Sequence, residues 1–287
     1  MAQSTSHQPA LASGEFVIGG DMPVRRMGFG AMRITGPGIW GYPTNRDEAI
    51  AVLKRCIELG INLIDTADAY GPDTSEMLIA EALYPYPKDL VIATKGGHMR
   101  RGPGNWYTDG RPEHLREALD GSLKRLKLER IDLYQFHRPD PAVPFEESVG
   151  AVAEMQKAGK VRHIGLSNVS VAQLESARKI APIATVQNHY HVDSRSSEDV
   201  LNACEKANIG FMPYAPLAAD VSRFGKKMEE VAKKHGATVA QIALAWLLQH
   251  SPVNLPIPGT STLKHLEENT AASEIKLTDE ELALLGA

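Results

Sequence analysis

Along most of its length the chain alternates between short runs rich in β-branched residues and longer stretches of helical period, and it does so eight times. Alternation of this kind marks repeated βα units, because parallel strands can be neighbours only when a crossover, usually a helix, carries the chain back between them. Strands are expected at Arg25–Gly30, Asn62–Asp65, Leu90–Lys95, Asp132–His137, Val161–Ser167, Ala184–Asn188, Gly210–Tyr214 and Asn254–Ile257. Between them, Arg46–Leu59 turns Ile50, Leu53 and Ile57 to one side, and Pro112–Leu126 does the same with Leu115, Leu119, Ser122, Leu123 and Leu126, as amphipathic helices do. Gly60, Gly159 and Gly210 are expected to close helices just before a strand, where the chain turns left-handed.

Eight units suit a closed barrel. The rival, an open doubly wound sheet, usually carries a glycine-rich phosphate turn after its first strand; Gly28, Gly30, Gly36 and Gly38 do not make that turn into a helix. The expected fold class is therefore α/β, a (β/α)8 TIM barrel with an N-terminal β-hairpin. Phe16, Val17 and Ile18 followed by Gly19-Gly20-Asp21 supply the hairpin, which could plug the bottom of the barrel. The residues from Met1 to Gly14 are expected to be a disordered lead, and 15–287 one barrel domain.

At 43% hydrophobic and 23% charged, the chain has material for a large core. A net charge of -4, with no long basic run, gives no support to nucleic-acid or membrane-surface binding and leaves a small molecule as the expected partner; the oligomeric state is not legible. Cys56 and Cys204 stand alone, without CxxC spacing or neighbouring His, which suits a reducing compartment and argues against structural zinc; no metal is expected. The N-terminus lacks a basic start and an apolar run, so it does not look like a signal peptide. The apolar stretch Thr238–Leu248, interrupted by Gln241, is too short to span a bilayer. A cytoplasmic location is expected.

Polar residues end the apolar strands: Asp65, Lys95, His137, Ser167 with Asn168, Gln187, Tyr214, and Gly259 with Thr260. In a (β/α) barrel the carboxyl ends of the strands share one mouth, and that mouth carries the chemistry. Asp65-Thr66-Ala67-Asp68-Ala69-Tyr70, Ile92-Ala93-Thr94-Lys95, Leu133-Tyr134-Gln135-Phe136-His137, Gly165-Leu166-Ser167-Asn168, Val186-Gln187-Asn188, Tyr214-Ala215-Pro216-Leu217 and Pro258-Gly259-Thr260 followed by Glu267-Glu268-Asn269 occur in that order. By these motifs the chain resembles an aldo-keto reductase from Gly28 to its C-terminus. The resemblance implies a catalytic tetrad of Asp65, Tyr70, Lys95 and His137 and reduction of a carbonyl with a nicotinamide cofactor, NADPH rather than NADH.

Hydride delivery to a carbonyl carbon pushes charge onto oxygen, so a donor at that oxygen must supply a proton. Tyr70 is the expected donor, with Lys95 lowering its pKa, Asp65 holding the ammonium, and His137 fixing the angle of the carbonyl oxygen. By resemblance Ser167, Asn168 and Gln187 grip the nicotinamide carboxamide and Tyr214 stacks on its other face. Pro258-Gly259-Thr260-Ser261 runs into a helix near Thr262, an anion site for the adenosine end. The expected cofactor contacts are Gly30, Met32, Asp65, Ser167, Asn168, Gln187, Tyr214, Leu217, Gly259, Thr260, Ser261, His265, Glu268 and Asn269. His265 stands where the best-known members carry arginine, which weakens the expectation of NADPH. The link after Leu217 is expected to be short, reaching a helix near Phe224.

Loops after strands one and three are expected to wall the substrate pocket with Trp40, Met99, Arg100 and Trp106, joined by Met32, Tyr42 and Arg101; aromatic walls with a basic edge suit a planar or anionic carbonyl compound. Gly30–Gly41 and Glu81–Tyr86 resemble a bacterial branch that includes pyridoxal reductases, so a pyridoxal-like or other small aromatic aldehyde is a candidate substrate. Two other functions stay open: a Schiff-base lyase using Lys95, or, as in some barrels of this family, a nicotinamide-sensing regulatory subunit.

Overall fold

The computed structural model describes residues 7–217 and 225–286. The N-terminal hairpin forms as β1 (Glu15–Ile18) and β2 (Met22–Arg25), antiparallel, with Gly19 and Gly20 supplying the positive φ angles of its turn. The first barrel strand, β3, is reduced to Phe29–Gly30, because Arg25 belongs to the hairpin. β4 (Leu63–Asp65) and β5 (Val91–Gly96) follow, and then a second antiparallel hairpin, β6 (His98–Gly102) and β7 (Asn105–Thr108), which was expected to be irregular loop. β8 (Ile131–Phe136), β9 (Val161–Ser167), β10 (Ile183–Gln187) and β11 (Gly210–Phe211) complete the strands.

Seven of these form one parallel sheet in the order β11-β10-β9-β8-β5-β4-β3. The eighth place is filled by the extended segment 253–258, which joins both edges: Phe211 N donates to Val253 O (2.8 Å), Leu255 N to Phe211 O (2.7 Å), and Gly28 N to Pro256 O (2.9 Å). It is no regular ladder strand, for Pro256 and Pro258 have no N–H to offer and contribute only carbonyls. The curled sheet therefore closes through a bridge where a full strand was expected at Asn254–Ile257. At this seam a Cβ on Gly30 would meet Ile257 O at 2.6 Å and one on Gly259 would meet Gly30 O at 2.6 Å, so the closest approach needs glycine on both sides.

Ten helices are described: α1 (Arg46–Glu58), α2 (Thr74–Leu83), α3 (Pro112–Leu126), α4 (Phe145–Lys157), α5 (Val171–Arg178), α6 (Glu198–Ala207), α7 (Gly225–His235), α8 (Val239–His250), α9 (Leu263–Ala271) and α10 (Asp279–Gly286). α3 buries Leu115, Leu119, Ser122 and Leu126 as its spacing requires. Gly60 and Gly159 take left-handed φ angles after their helices. After α6, however, Asn208 does so (φ 52), and Gly210 is instead the first residue of β11, where a Cβ would press on Leu255 and Phe16. Gln241, the polar residue inside the apolar stretch Thr238–Leu248, serves the start of α8 through a capping box with Thr238. The helix expected near Phe224 is α7, described from Gly225; the link expected after Leu217, at 218–224, lies outside the described residues.

The expected disordered lead is corrected over its described part. Pro9–Ser13 is a 3-10 turn with Ala10 fully buried; Ala10 N donates to Leu59 O, and Ser13 Oγ accepts from Met27 N at 3.0 Å. The hairpin lies across the amino ends of the strands. Arg25 N donates to Asn62 Oδ1, His163 Nε2 lies 2.5 Å from Asp21 Oδ1, and Phe16 packs at Gly210. That face is therefore plugged, and the opposite, carboxyl face is left for the site. Among the described residues no helix is long and apolar enough to cross a membrane.

Candidate active site

The parallel register sets the site. Gly30 lies beside Asp65, Asp65 beside Ala93, and Lys95 beside Gln135. Asp65 ends β4 and Lys95 stands one residue before the end of β5, so their side chains meet inside the barrel mouth. Lys95 Nζ donates to Asp65 Oδ2 (2.6 Å), Thr66 O (2.8 Å) and Tyr70 Oη (3.3 Å). Lys95 and Asp65 are buried, and Tyr70 nearly so. Because the ammonium donates to the phenol oxygen, the phenol hydrogen is left to point elsewhere. His137, one residue past β8, sets its ring edge-on to Tyr70 with centroids 5.9 Å apart. The four expected catalytic residues are thus brought together.

Burial would lower the Lys95 pKa, but Asp65 and Tyr70 more than reverse it, and the ammonium is held above its ordinary range. Burial is also the largest influence on Tyr70 and raises its pKa; Lys95 pulls the other way without overcoming it. This corrects the expectation that Lys95 leaves Tyr70 a stronger acid than free tyrosine: here desolvation of the phenolate outweighs the neighbouring cation. Burial, followed by Lys95, His98 and Arg138, holds the His137 imidazole well below its ordinary range and so neutral, with Nδ1 lacking a partner among the described residues.

Asp65 is also held from its other side. Gln135 Nε2 and Gln187 Nε2 each donate to Oδ1 at 2.9 Å. Gln135 was not anticipated, and Gln187, expected on the cofactor, has its amide nitrogen on Asp65. Asn168, at positive φ, donates to His137 O and Ser167 Oγ and accepts from Arg138 and Tyr214 at its Oδ1. Both ends of its amide are engaged, so it holds its neighbours in place. The Ser167 hydroxyl hydrogen and Gln187 Oε1 remain, one donor and one acceptor, and these match the two ends of a carboxamide.

A cavity of about 320 Å³ opens over this floor. Of the expected cofactor residues, Gly30, Met32, Asp65, Ser167, Asn168, Gln187, Tyr214, Leu217 and Gly259 line it. Thr260 is buried just beyond, its Oγ1 accepting from Thr262 N, and Thr262 caps α9. Ser261 and His265 are exposed at that helix start, Glu268 lies 3.8 Å from Lys264, and Asn269 is buried.

The expected substrate residues divide. Trp106 lines the cavity, whereas Met99 and Arg100 line a separate hollow with Asp68, His114 and Arg125, and Trp40 lines neither. Arg100 donates to Ile39 O (2.9 Å) and Gly38 O (2.7 Å) and lies 3.9 Å from the Trp106 ring centroid. Its guanidinium ties two loops together and backs Trp106; the basic edge expected of it is not in the cavity. Tyr42 and Arg101 pair instead with Arg46 and Tyr107. His98, Arg33 and Arg138 line the cavity and were not anticipated. His98 sits between Trp106 (4.8 Å) and His137 (5.0 Å), and burial, with Arg138 and Arg100, pushes its pKa down to about 4.

The profile of the aldo/keto reductase family matches residues 26–287. An uncharacterized oxidoreductase of Schizosaccharomyces pombe is 49% identical over 267 residues, covering 93% of this chain and 87% of its own length. Pyridoxine 4-dehydrogenase of Escherichia coli K12 is 41% identical over 282 residues, covering 96% and 98%. Among solved structures, an aldo-keto reductase from Klebsiella pneumoniae in complex with NADPH superposes with a TM-score of 0.80 at 29% identity, covering 94% of this chain and 93% of that one. The chain is an oxidoreductase that belongs to the aldo/keto reductase family.

Proposed function

We propose that the chain reduces an aldehyde or ketone to the alcohol with NADPH, Tyr70 delivering the proton. The observation that carries this reading is the Lys95 ammonium bonded at once to Asp65 and to the Tyr70 hydroxyl under an open cavity. Bound NADPH supplies hydride to the carbonyl carbon; the protein's share is to hold the oxygen and give it a proton. Tyr70, with its pKa raised, stays protonated at neutral pH, and its hydrogen transfers as negative charge grows on the substrate oxygen. Lys95 then stabilises the phenolate left behind, and neutral His137 donates a hydrogen bond that orients the oxygen. Ser167 and Gln187 would meet the nicotinamide carboxamide, Tyr214 would wall the ring, and the N-terminus of α9 with Thr260 and Ser261 would receive phosphate.

NADPH is favoured by the Klebsiella relative's bound cofactor and by this helix terminus. Small aromatic aldehydes, pyridoxal among them, are favoured by the Trp106 wall and by the enzyme name of the Escherichia coli relative. The lyase reading needs a neutral amine, and an ammonium with three acceptors and a raised pKa is a poor nucleophile. The test is consumption of NADPH, and then of NADH, over a panel of aldehydes, ketones and pyridoxal. Oxidation of NADPH that requires the carbonyl, with one alcohol formed per cofactor, is expected; a panel without turnover would overturn the reading.

A further inference from the structure

We propose that the substrate mouth continues into a groove built to take an anionic group, so that the preferred carbonyl substrates carry a carboxylate or a phosphate remote from the reacting carbon. This rests on the reductase reading above. The cavity over Tyr70 and an open groove beside it share His98, Trp106, Arg138 and Asn168, so a substrate reaching past Trp106 enters the groove without a break. The groove's lining contains one guanidinium, that of Arg138, and no Asp or Glu among the described residues; Thr108 and Gln173 add hydrogen-bonding groups.

Arg138 is placed for a ligand. One of its nitrogens, Nη2, donates to Asn168 Oδ1 at 3.0 Å, which fixes the plane of the guanidinium, while Nε is buried and finds no acceptor among the described residues. Among the described residues no carboxylate lies within ion-pair distance of this guanidinium, and an anion in the groove it lines would compensate its charge. The carboxylate two residues on, Asp140, is engaged elsewhere: it accepts from Gly110 N and Ala142 N, each at 2.9 Å, and from Thr108. The positive field of Arg138 reaches the cavity, where it helps keep His98 and His137 uncharged. A neutral polar tail could meet the hydrogen bond but would leave the charge uncompensated.

The experiment compares kcat/KM for terephthalaldehydic acid, its neutral amide and formylphenyl phosphate. These share the reacting aldehyde and the ring. The acid is expected to exceed the amide by roughly ten- to a hundredfold at low salt, the size of a hydrogen bond to a charged group, and the ratio should shrink as salt rises. A larger preference for the phosphate assigns the groove to phosphomonoesters, and the reverse assigns it to carboxylates. Gln173→Glu puts a negative charge in the groove yet keeps the Ser170 capping box of α5, in which glutamate serves as well as glutamine; measured against the amide in the same variant, it should bring the ratio towards one. Arg138→Gln should also bring the ratio towards one, the amide in the same variant serving as the reference for any change in basal rate through Asn168. Equal turnover of acid and amide, indifferent to Gln173→Glu, would overturn the groove and leave the reductase reading intact. No turnover of any aldehyde would overturn both.

Discussion

Two buried carboxylates are served by adjacent residues of β5, and they have opposite fates. Thr94 faces the helical layer, where its Oγ1 donates to Glu76 Oε1 (2.6 Å); Lys95 faces the barrel interior, where it donates to Asp65. Around Glu76 the circle is closed. Arg125 Nε donates to its other oxygen at 2.6 Å, and the guanidinium runs on to Asp73 and Ser122. Around Asp65 the circle is open on one side, because the third group on Lys95 is the Tyr70 hydroxyl at a cavity. Both are ion pairs in low dielectric, and what separates them is the last group of each: Arg125 ends on Asp73 and Ser122, whereas Lys95 ends on a hydroxyl that faces the cavity. A closed network fixes α2 and α3 on the barrel; an open one leaves a proton facing a space that a substrate can enter.

The largest expected effect breaks the open network at its tip. Tyr70→Phe keeps the ring and removes the proton, so turnover should fall roughly 100- to 10,000-fold, about 3 to 5.5 kcal/mol of barrier, while NADPH affinity by fluorescence titration is nearly unchanged. Lys95→Met should fail in the same assay, and the two losses should not add, since both act through one proton transfer. With Tyr70 and Lys95 both raised, reduction by the parent should stay flat through neutral pH and decline only above the ordinary tyrosine value of ~10. A Tyr70→Phe variant that keeps a third of the parental rate when hydride transfer is limiting would sink the assignment.

The closed network should fail differently. Glu76→Ala removes a fully buried carboxylate and strands Arg125, whose side chain is only 19% exposed. Breaking a buried pair costs about 3–5 kcal/mol, read as a lowered urea midpoint. The residual folded enzyme should keep its Michaelis constant for aldehydes. A variant with unchanged stability but lost activity would erase the distinction between the two circles.

How much of this was legible beforehand follows from the same geometry. Asp65, Lys95, His137 and Ser167 were legible because a polar residue ending an apolar strand has few structural uses. Gln135 was missed because, in mid-strand between Tyr134 and Phe136, it looks like an ordinary polar alternation. The signal was present: it lies two residues before His137 and so shares its inward face. His98 and Arg138 were missed because glycines or a proline beside them suggest plain loop, and the turn signal of hairpin β6–β7, Gly102-Pro103-Gly104, reads as more of the same loop where no apolar alternation flanks it. Arg100 was misplaced for a deeper reason. Its partners are backbone carbonyls 61 and 62 positions away, and no local pattern announces a carbonyl. The closed seam at 253–258 was half legible, since its prolines argue against a ladder even where the alternation calls for a strand.

A smaller effect separates the networks by pH. His98 is held at about 4 and His137 well below its ordinary value. The unfolded chain binds protons at these sites from ~6.5 downward while the folded chain refuses them, so stability should be fully present above that pH and drain as pH falls through the window to about 4. His98→Gln should flatten the urea midpoint against pH between those limits. An unaltered slope would mean that His98 is not held neutral.

The smallest expected effect tests the second layer of the open network. Asp65 Oδ1 takes two amide donors, Gln135 and Gln187, and Gln187 also donates to Gln135 Oε1 at 3.2 Å. Gln135→Met, of similar volume, removes one of the two and leaves Gln187 free to tighten on Asp65. A hydrogen bond to a charged group is worth about 1.5–3 kcal/mol, and the remaining amide should offset part of this, so a three- to tenfold loss of turnover, on the order of 1 kcal/mol, is expected. A purely structural role would lower the urea midpoint alone. A positioning role lets Asp65 hold Lys95 less firmly, which lowers the Lys95 pKa and moves the alkaline decline of turnover to lower pH. Gln135→Glu gives the opposite control, for a carboxylate beside Asp65 repels it while still attracting Lys95; its alkaline limb should not move down. If Gln135→Met shifts stability but leaves the pH profile in place, Gln135 belongs with Thr94 and Glu76 on the structural side of the comparison.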